Sequence, residues 1–143
     1  MAEQVSALVR SLAARPVLAA MPAAQVRIIV ALRLTILASP KKQNPAPCLA
    51  RQLGDDAAAV YFTDIIETMS DCWPDPITVH RPCCRETSYD EILLVDLITA
   101  VVQGQTGPFH ALLGEMIAPA DRMQLYRNIE RFVSRFTRRG RCE

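Results

Sequence analysis

Two adjacent cysteines, Cys83 and Cys84, are the residues of this chain best suited to chemistry. They lie between Arg81 and Arg85 and shortly before the predicted start of a helix. A helix N-terminus and nearby cations both stabilise a thiolate, the nucleophilic form of cysteine. His80 is close enough in sequence to act as a base. The segment therefore allows thiol or redox chemistry, while inert packed or ligand-contacting cysteines are the simpler interpretations.

The same segment allows a weaker metal hypothesis. Sulfur and imidazole are the ligands that zinc prefers, and they occur here in Cys72, His80, Cys83 and Cys84. The spacing contains no C-x₂-C pair, and adjacent cysteines are awkward ligands for one tetrahedral ion. We therefore predict no metal and no cofactor, and keep these four residues as a weak candidate set.

A second candidate surface is the basic C-terminal stretch. Arg131, Arg135 and Arg138 share one face of a predicted helix, and Arg139 adds a further charge. Clustered arginines suit contacts with phosphates, so nucleic-acid binding is possible. The same pattern is typical of an ordinary amphipathic helix, whose negative C-terminal end favours arginine. We do not favour nucleic acid as the partner.

The elements that must position these residues are helices separated by prolines. Apolar residues recur at helical spacing, and the predicted helices span about 3–14, 23–38, 47–53, 55–70, 88–102 and 109–117, with a last one from 119. The stretch 77–80 is strand-like, but no partner strand is visible, so we interpret it as an extended linker.

The helix at 88–102 has the clearest start signal. Ser88 and Glu91 form an S-x-x-E capping box, and the following residues are apolar nearly all round except for Asp96 and Thr99. Such a helix is usually covered on most sides. We predict one all-α domain over residues 1–143, with five or six helices around this buried central helix and a flexible basic tail from about 137.

Composition limits the function classes. The chain has 143 residues, 22% of them charged, and a net charge of +1. This composition argues against disorder and gives no overall case for a nucleic-acid or membrane-surface protein. The longest apolar run contains Arg27 and Arg33, so we predict no membrane span. No signal peptide is recognisable. The number of cysteines, five, is odd and does not suit a framework of paired disulfides, so we predict free thiols in a reducing cytoplasm.

The charges are unevenly distributed. Residues 1–51 carry a net charge of +6, residues 55–121 carry −10, and residues 122–143 carry +5. The simpler interpretation is that basic terminal helices pack around an acidic middle. The alternative is that two basic faces contact an acidic partner.

The cysteine segment also carries a resemblance. Its markers are His80-x-Pro82-Cys83-Cys84, then Thr87-x-x-Asp90-Glu91, then Leu93-Leu94. In these features the chain resembles an uncharacterised family of small helical proteins from sphingomonads and related alphaproteobacteria. The resemblance implies a bacterial, cytoplasmic, helical domain and implies no activity.

We therefore predict a small non-enzymatic binding or regulatory module that acts through helical surfaces. The candidate surfaces are the exposed faces of the first and last predicted helices. We expect binding to a protein partner or self-association, and we expect no binding to a membrane. The alternatives are a thiol-based redox or metal-binding protein that uses Cys83 and Cys84, and nucleic-acid binding through the last helix.

Overall fold

The computed structural model describes residues 17–38 and 44–140, and in these ranges it contains helices and no strand. After a 3₁₀ turn at Leu18–Ala20, the helices are α1 (Ala23–Ala38), α2 (Ala46–Leu53), α3 (Asp56–Cys72), α4 (Tyr89–Val102), α5 (Thr106–Leu113) and α6 (Pro119–Gly140). The predicted all-α class is confirmed. The helix predicted at about 3–14 lies outside the described residues.

The helix ends follow local sequence signals. α2 stops at Gly54, whose φ of +79° is a left-handed conformation that glycine adopts without strain. Asp55 then caps α3 by accepting a hydrogen bond of 2.9 Å from the Ala58 amide. α4 begins with the predicted capping box of Ser88 and Glu91. Short polar side chains therefore set where α3 and α4 start.

The core joins two groups of helices. α3 packs most extensively against α6, where the rings of Phe62 and Phe132 lie 5.5 Å apart between centroids. α2 packs on α1 and α3, while α4 packs on α1, α5 and α6. One continuous apolar cluster runs through all of these contacts.

α4 is as deeply buried as its sequence predicts. Its apolar side chains that lie in the core are Leu93, Leu94, Val95, Leu97, Ile98, Ala100 and Val101. It shares the centre of the bundle with α3 and α6, which form the larger contact. The stretch 77–80 is extended and unpaired, as predicted.

Two boundaries differ from the prediction. α5 begins at Thr106 and ends at Leu113, because Gly114, with a φ of +54°, breaks the helix before Ile117. The backbone of α6 is helical through Gly140, and the flexibility of the tail from about 137 stays a prediction. No helix within the described ranges has the length and apolar character needed to cross a membrane.

Candidate functional site

Among the residues that the structure describes, the guanidinium of Arg33 makes the most hydrogen bonds of any side-chain group. Arg33 lies on α1 among buried apolar neighbours, and its side chain is fully buried. It binds the Glu91 carboxylate in a bidentate manner, through Nε at 2.7 Å and Nη2 at 3.0 Å. Glu91 is also fully buried. This pair therefore joins α1 to the first turn of α4 inside the protein.

The remaining donors of Arg33 hold the segment that carries the cysteines. We call residues 78–88 the cysteine loop. Arg33 Nη1 donates to the carbonyls of Cys84 at 2.8 Å and Pro82 at 3.4 Å, and Nη2 donates to the carbonyl of Glu86 at 2.7 Å. Because three loop carbonyls converge on one rigid guanidinium, the loop backbone is fixed around it.

Glu91 holds both ends of the same loop. Its carboxylate accepts from the Ser88 amide at 2.9 Å and from the His80 amide at 3.2 Å. In return, the Glu91 amide donates to Ser88 Oγ at 3.1 Å. The capping box thus extends into a network that includes the loop and α1.

Asp90 adds a second attachment beside Glu91. Its carboxylate accepts from the Thr78 amide at 2.7 Å and from the Trp73 indole at 3.3 Å. Ser88 Oγ donates to the Thr78 carbonyl at 2.7 Å. The long connection between α3 and α4 is therefore tied down at its polar backbone groups, without secondary structure of its own.

The environment of Glu91 favours its charged form. Burial raises the pKa of this carboxyl, but the hydrogen bonds from Arg33, Ser88 and His80 outweigh burial, and the pKa lies below its ordinary value. Glu91 is therefore an anion locked in a pair, with no face open to a substrate.

The structure places the two candidate thiols on the outside of the fixed loop. Cys83 is exposed and Cys84 is half-buried, and both are free thiols. The Cys84 amide closes a turn by donating to the Arg81 carbonyl at 2.9 Å. At the start of α4, the Glu91 amide binds Ser88 instead of a sulfur atom. The side chains of Arg81 and Arg85 are exposed on the same loop.

The four residues of the weak metal hypothesis do not form a metal-binding group in the structure. Within the described ranges, no three histidine, cysteine, aspartate or glutamate side chains form a group that could hold a metal ion. His80 contributes its backbone amide to Glu91. Cys72 ends α3, where burial and then the charge of Asp121 raise its pKa. Among the described residues, Cys83 and Cys84 therefore have no further ligands of the kind that zinc requires.

Part of the basic face of α6 makes contacts within the fold. Arg135 contacts the Asp55 carboxylate through Nε and Nη2, each at 3.2 Å, and this contact raises the pKa of Arg135. Arg131 remains exposed. The side chains of Arg138 and Arg139 lie outside the described residues. One of the four candidate nucleic-acid contacts thus ties α6 to the start of α3.

A different surface is left open on α4. Five residues at helical spacing follow the outer side of α4. Tyr89, Asp96 and Val102 are exposed, whereas Ile92 and Thr99 are half-buried and Ile92 also packs against the core. Next to them, α5 presents Pro108, Ala111 and Leu112, and a groove of about 430 Å³ runs between the two helices. We call these eight residues the α4–α5 face.

Sequence reasoning missed the role of Arg33 and this face. In the sequence, Arg33 appears only as a charge that interrupts an apolar run. The sequence did contain a signal for this role, because a charge on the buried side of a helix needs a partner.

Comparison with protein-family models, with curated proteins and with solved structures gives no match for this chain.

Proposed function

We propose that this chain is a small, non-enzymatic binding module that recognises a protein partner through the α4–α5 face. The observation that carries the proposal is the exposure of large apolar side chains on the helix that is otherwise most buried. Tyr89 is 63% exposed, Val102 52% and Leu112 38%. Tyr89 and Val102 lie at the two ends of α4, and Leu112 lies on the neighbouring α5. We infer that these exposed apolar side chains mark the outer limits of one interaction surface.

The buried polar groups support a binding role over catalysis. Arg33 and Glu91 are fully buried and use their donors and acceptors on each other and on loop backbone. Burying such a pair is costly, and the best-supported use of such groups is to specify a conformation. In this protein Arg33 and Glu91 hold the cysteine loop against the start of α4, so the backbone of this loop is fixed.

Of the two predicted surfaces, the first helix lies outside the described residues, and the last helix, α6, is a weaker candidate than the α4–α5 face. On α6, Met123 is 43% exposed and Arg131 is exposed, but Arg135 binds Asp55.

The proposal includes a cytoplasmic location, which is supported by the free thiols of the described cysteines.

Site-specific photo-crosslinking tests the proposed surface. A photoreactive phenylalanine analogue replaces Leu112 on the α4–α5 face, and a control protein carries it at Val60, which is 56% exposed on α3. After irradiation in the native cells, we expect a discrete adduct from position 112 that the control lacks and that Val102→Glu abolishes. Equal adducts from both positions, or none from position 112, would contradict the proposal.

A thiol function is the second candidate, because the exposed Cys83 sits on a loop whose backbone is fixed by Arg33. It requires Cys83 to react with iodoacetamide at pH 7 faster than free cysteine does. Cys48→Ser is the matched control, since Cys48 is also an exposed thiol. If Cys83→Ser and Cys48→Ser slow alkylation equally, and neither thiol exceeds the free amino acid, this function is excluded.

A further inference from the structure

The charge pattern around the α4–α5 face narrows the chemistry of its partner. Between Arg85 and Arg122 the chain has no lysine or arginine, although the same stretch contains six acidic residues. Both α4 and α5 lie within it. The face therefore has no cation from its own two helices, and a cationic partner complements it.

Asp96 is the charged group at the centre of this face. It lies midway along α4 and lines the groove against α5. No hydrogen bond or ion pair to its carboxylate occurs in the part of the chain that the structure describes. Partial burial raises the pKa of Asp96, because neighbouring surfaces shield the charge from water. An approaching cation would relieve this unfavourable environment.

The spacing of the exposed and half-buried residues on the outer side of α4 fits a helical occupant. Tyr89, Ile92, Asp96 and Thr99 follow each other at intervals of three, four and three residues, which is the pattern by which one helix contacts another. The small side chains of Ala100 and Ala111 line the groove beside them. A partner helix can therefore lie close along α4.

A second copy of this chain fits the face less well. In a two-fold symmetric pairing, equivalent residues of both copies approach the axis. Asp96 is near the midpoint of α4, so pairing α4 with itself would bring two Asp96 carboxylates together. Like charges at a shared interface oppose that pairing.

We propose that the α4–α5 face binds an amphipathic helix of a partner protein, and that Asp96 pairs with an arginine or lysine set among the apolar residues of that helix. This inference rests on the proposed function. It adds the chemistry of the partner, which the exposure of the face alone does not give.

Selection of displayed helical peptides tests the inference. The full-length protein is immobilised and offered a library of amphipathic helices in which the central position of the apolar stripe is randomised. We expect arginine and lysine to be enriched at that position. Asp96→Asn should weaken the selected peptides by about 2- to 5-fold in Kd, whereas the control Glu67→Gln, an exposed acid on α3, should leave Kd unchanged. Asp96→Arg should select glutamate or aspartate instead.

The outcomes separate the two proposals. If no peptide is enriched, or if Val102→Glu does not weaken the enriched peptides, the proposed binding face is wrong. If peptides bind the face but Asp96→Asn leaves the central preference and Kd unchanged, only the pairing with Asp96 is wrong. If sedimentation without peptide shows a dimer that Val102→Glu dissociates, the occupant is a second copy and the inference is overturned.

Discussion

Glu91 and Asp96 lie on the same helix, about one and a half turns apart, and their environments are opposite. Glu91 is fully buried and accepts hydrogen bonds from Arg33, His80 and Ser88. Asp96 is exposed, and apolar surroundings shield it without supplying a partner among the described residues. The pKa of Glu91 is lowered, while that of Asp96 is raised.

This contrast separates a charge that builds the structure from a charge that is available for binding. The interactions of Glu91 are complete within the chain, so it fixes the cysteine loop and the start of α4. In the proposed binding role, Asp96 pairs with a cation of the partner. The buried side of α4 then stabilises the fold and its outer side binds the partner, although both belong to one continuous helix.

The largest effect is expected from Arg33→Met. It leaves the Glu91 carboxylate buried without its cation and leaves three loop carbonyls without their shared donor. Breaking a buried pair in this way costs about 3–5 kcal/mol, a large part of the roughly 5–15 kcal/mol of a typical domain. Urea unfolding followed by circular dichroism measures the loss.

Arg27→Met is the control, because Arg27 is exposed on the same helix. A surface change of this kind should stay within about 0.5 kcal/mol. If both variants lower the free energy of unfolding equally, Arg33 does not have the structural role that we assign to it.

A smaller effect is expected from Ser88→Ala. Ser88 Oγ accepts from the Glu91 amide and donates to the Thr78 carbonyl. Losing a helix cap costs about 1 kcal/mol, and the amides near Thr78 should exchange with deuterium faster. Ser70→Ala, at an exposed position in α3, is the control for serine removal. Unchanged stability in Ser88→Ala would argue against the network.

Arg135→Gln should produce a still smaller loss of thermal stability. Arg135 is partly exposed, and its carboxylate partner Asp55 caps α3. Salt screens such surface contacts, so the difference in Tm from the parent protein should shrink at high ionic strength. Arg131→Gln should leave Tm unchanged. An equal loss in both variants would mean that the contact with Asp55 contributes nothing specific.

The smallest effect is a gain, expected from Asp96→Asn near neutral pH. Because folding raises the pKa of Asp96 above its ordinary value of 3.8, its contribution to stability is favourable at low pH and is lost as the pH rises through the folded value. Asparagine removes this loss. Thermal unfolding should show a slightly higher Tm at pH 7 and no difference at pH 3, and a lower Tm at pH 7 would contradict the account.

The sequence predicted the helices because their signals are local. Ser88 with Glu91, Gly54 with Asp55, and Pro119 mark boundaries that the structure reproduces. The burial of α4 also followed from its nearly continuous apolar pattern. These features depend on residues that are close together in the chain.

The arrangement around Arg33 could not be predicted in the same way. Arg33 and Glu91 are 58 positions apart, and backbone carbonyls, which have no residue type, provide the other contacts. The alternative of a thiolate site at the start of α4 depends in the same way on where the loop places its groups. The capping box uses the Glu91 amide, and the loop turns its carbonyls inward and Cys83 outward.

Carbon-detected NMR titration of the carboxyl groups tests the contrast within α4 most directly. Following the side-chain carbons of Glu91 and Asp96 in the folded protein gives both pKa values in one experiment. We predict that Glu91 titrates below its ordinary value of 4.5 and that Asp96 titrates above its ordinary value of 3.8. Ordinary pKa values for both carboxyls, or pKa shifts in the reverse directions, would contradict the contrast between a structural Glu91 on the buried side of α4 and a binding Asp96 on its outer side.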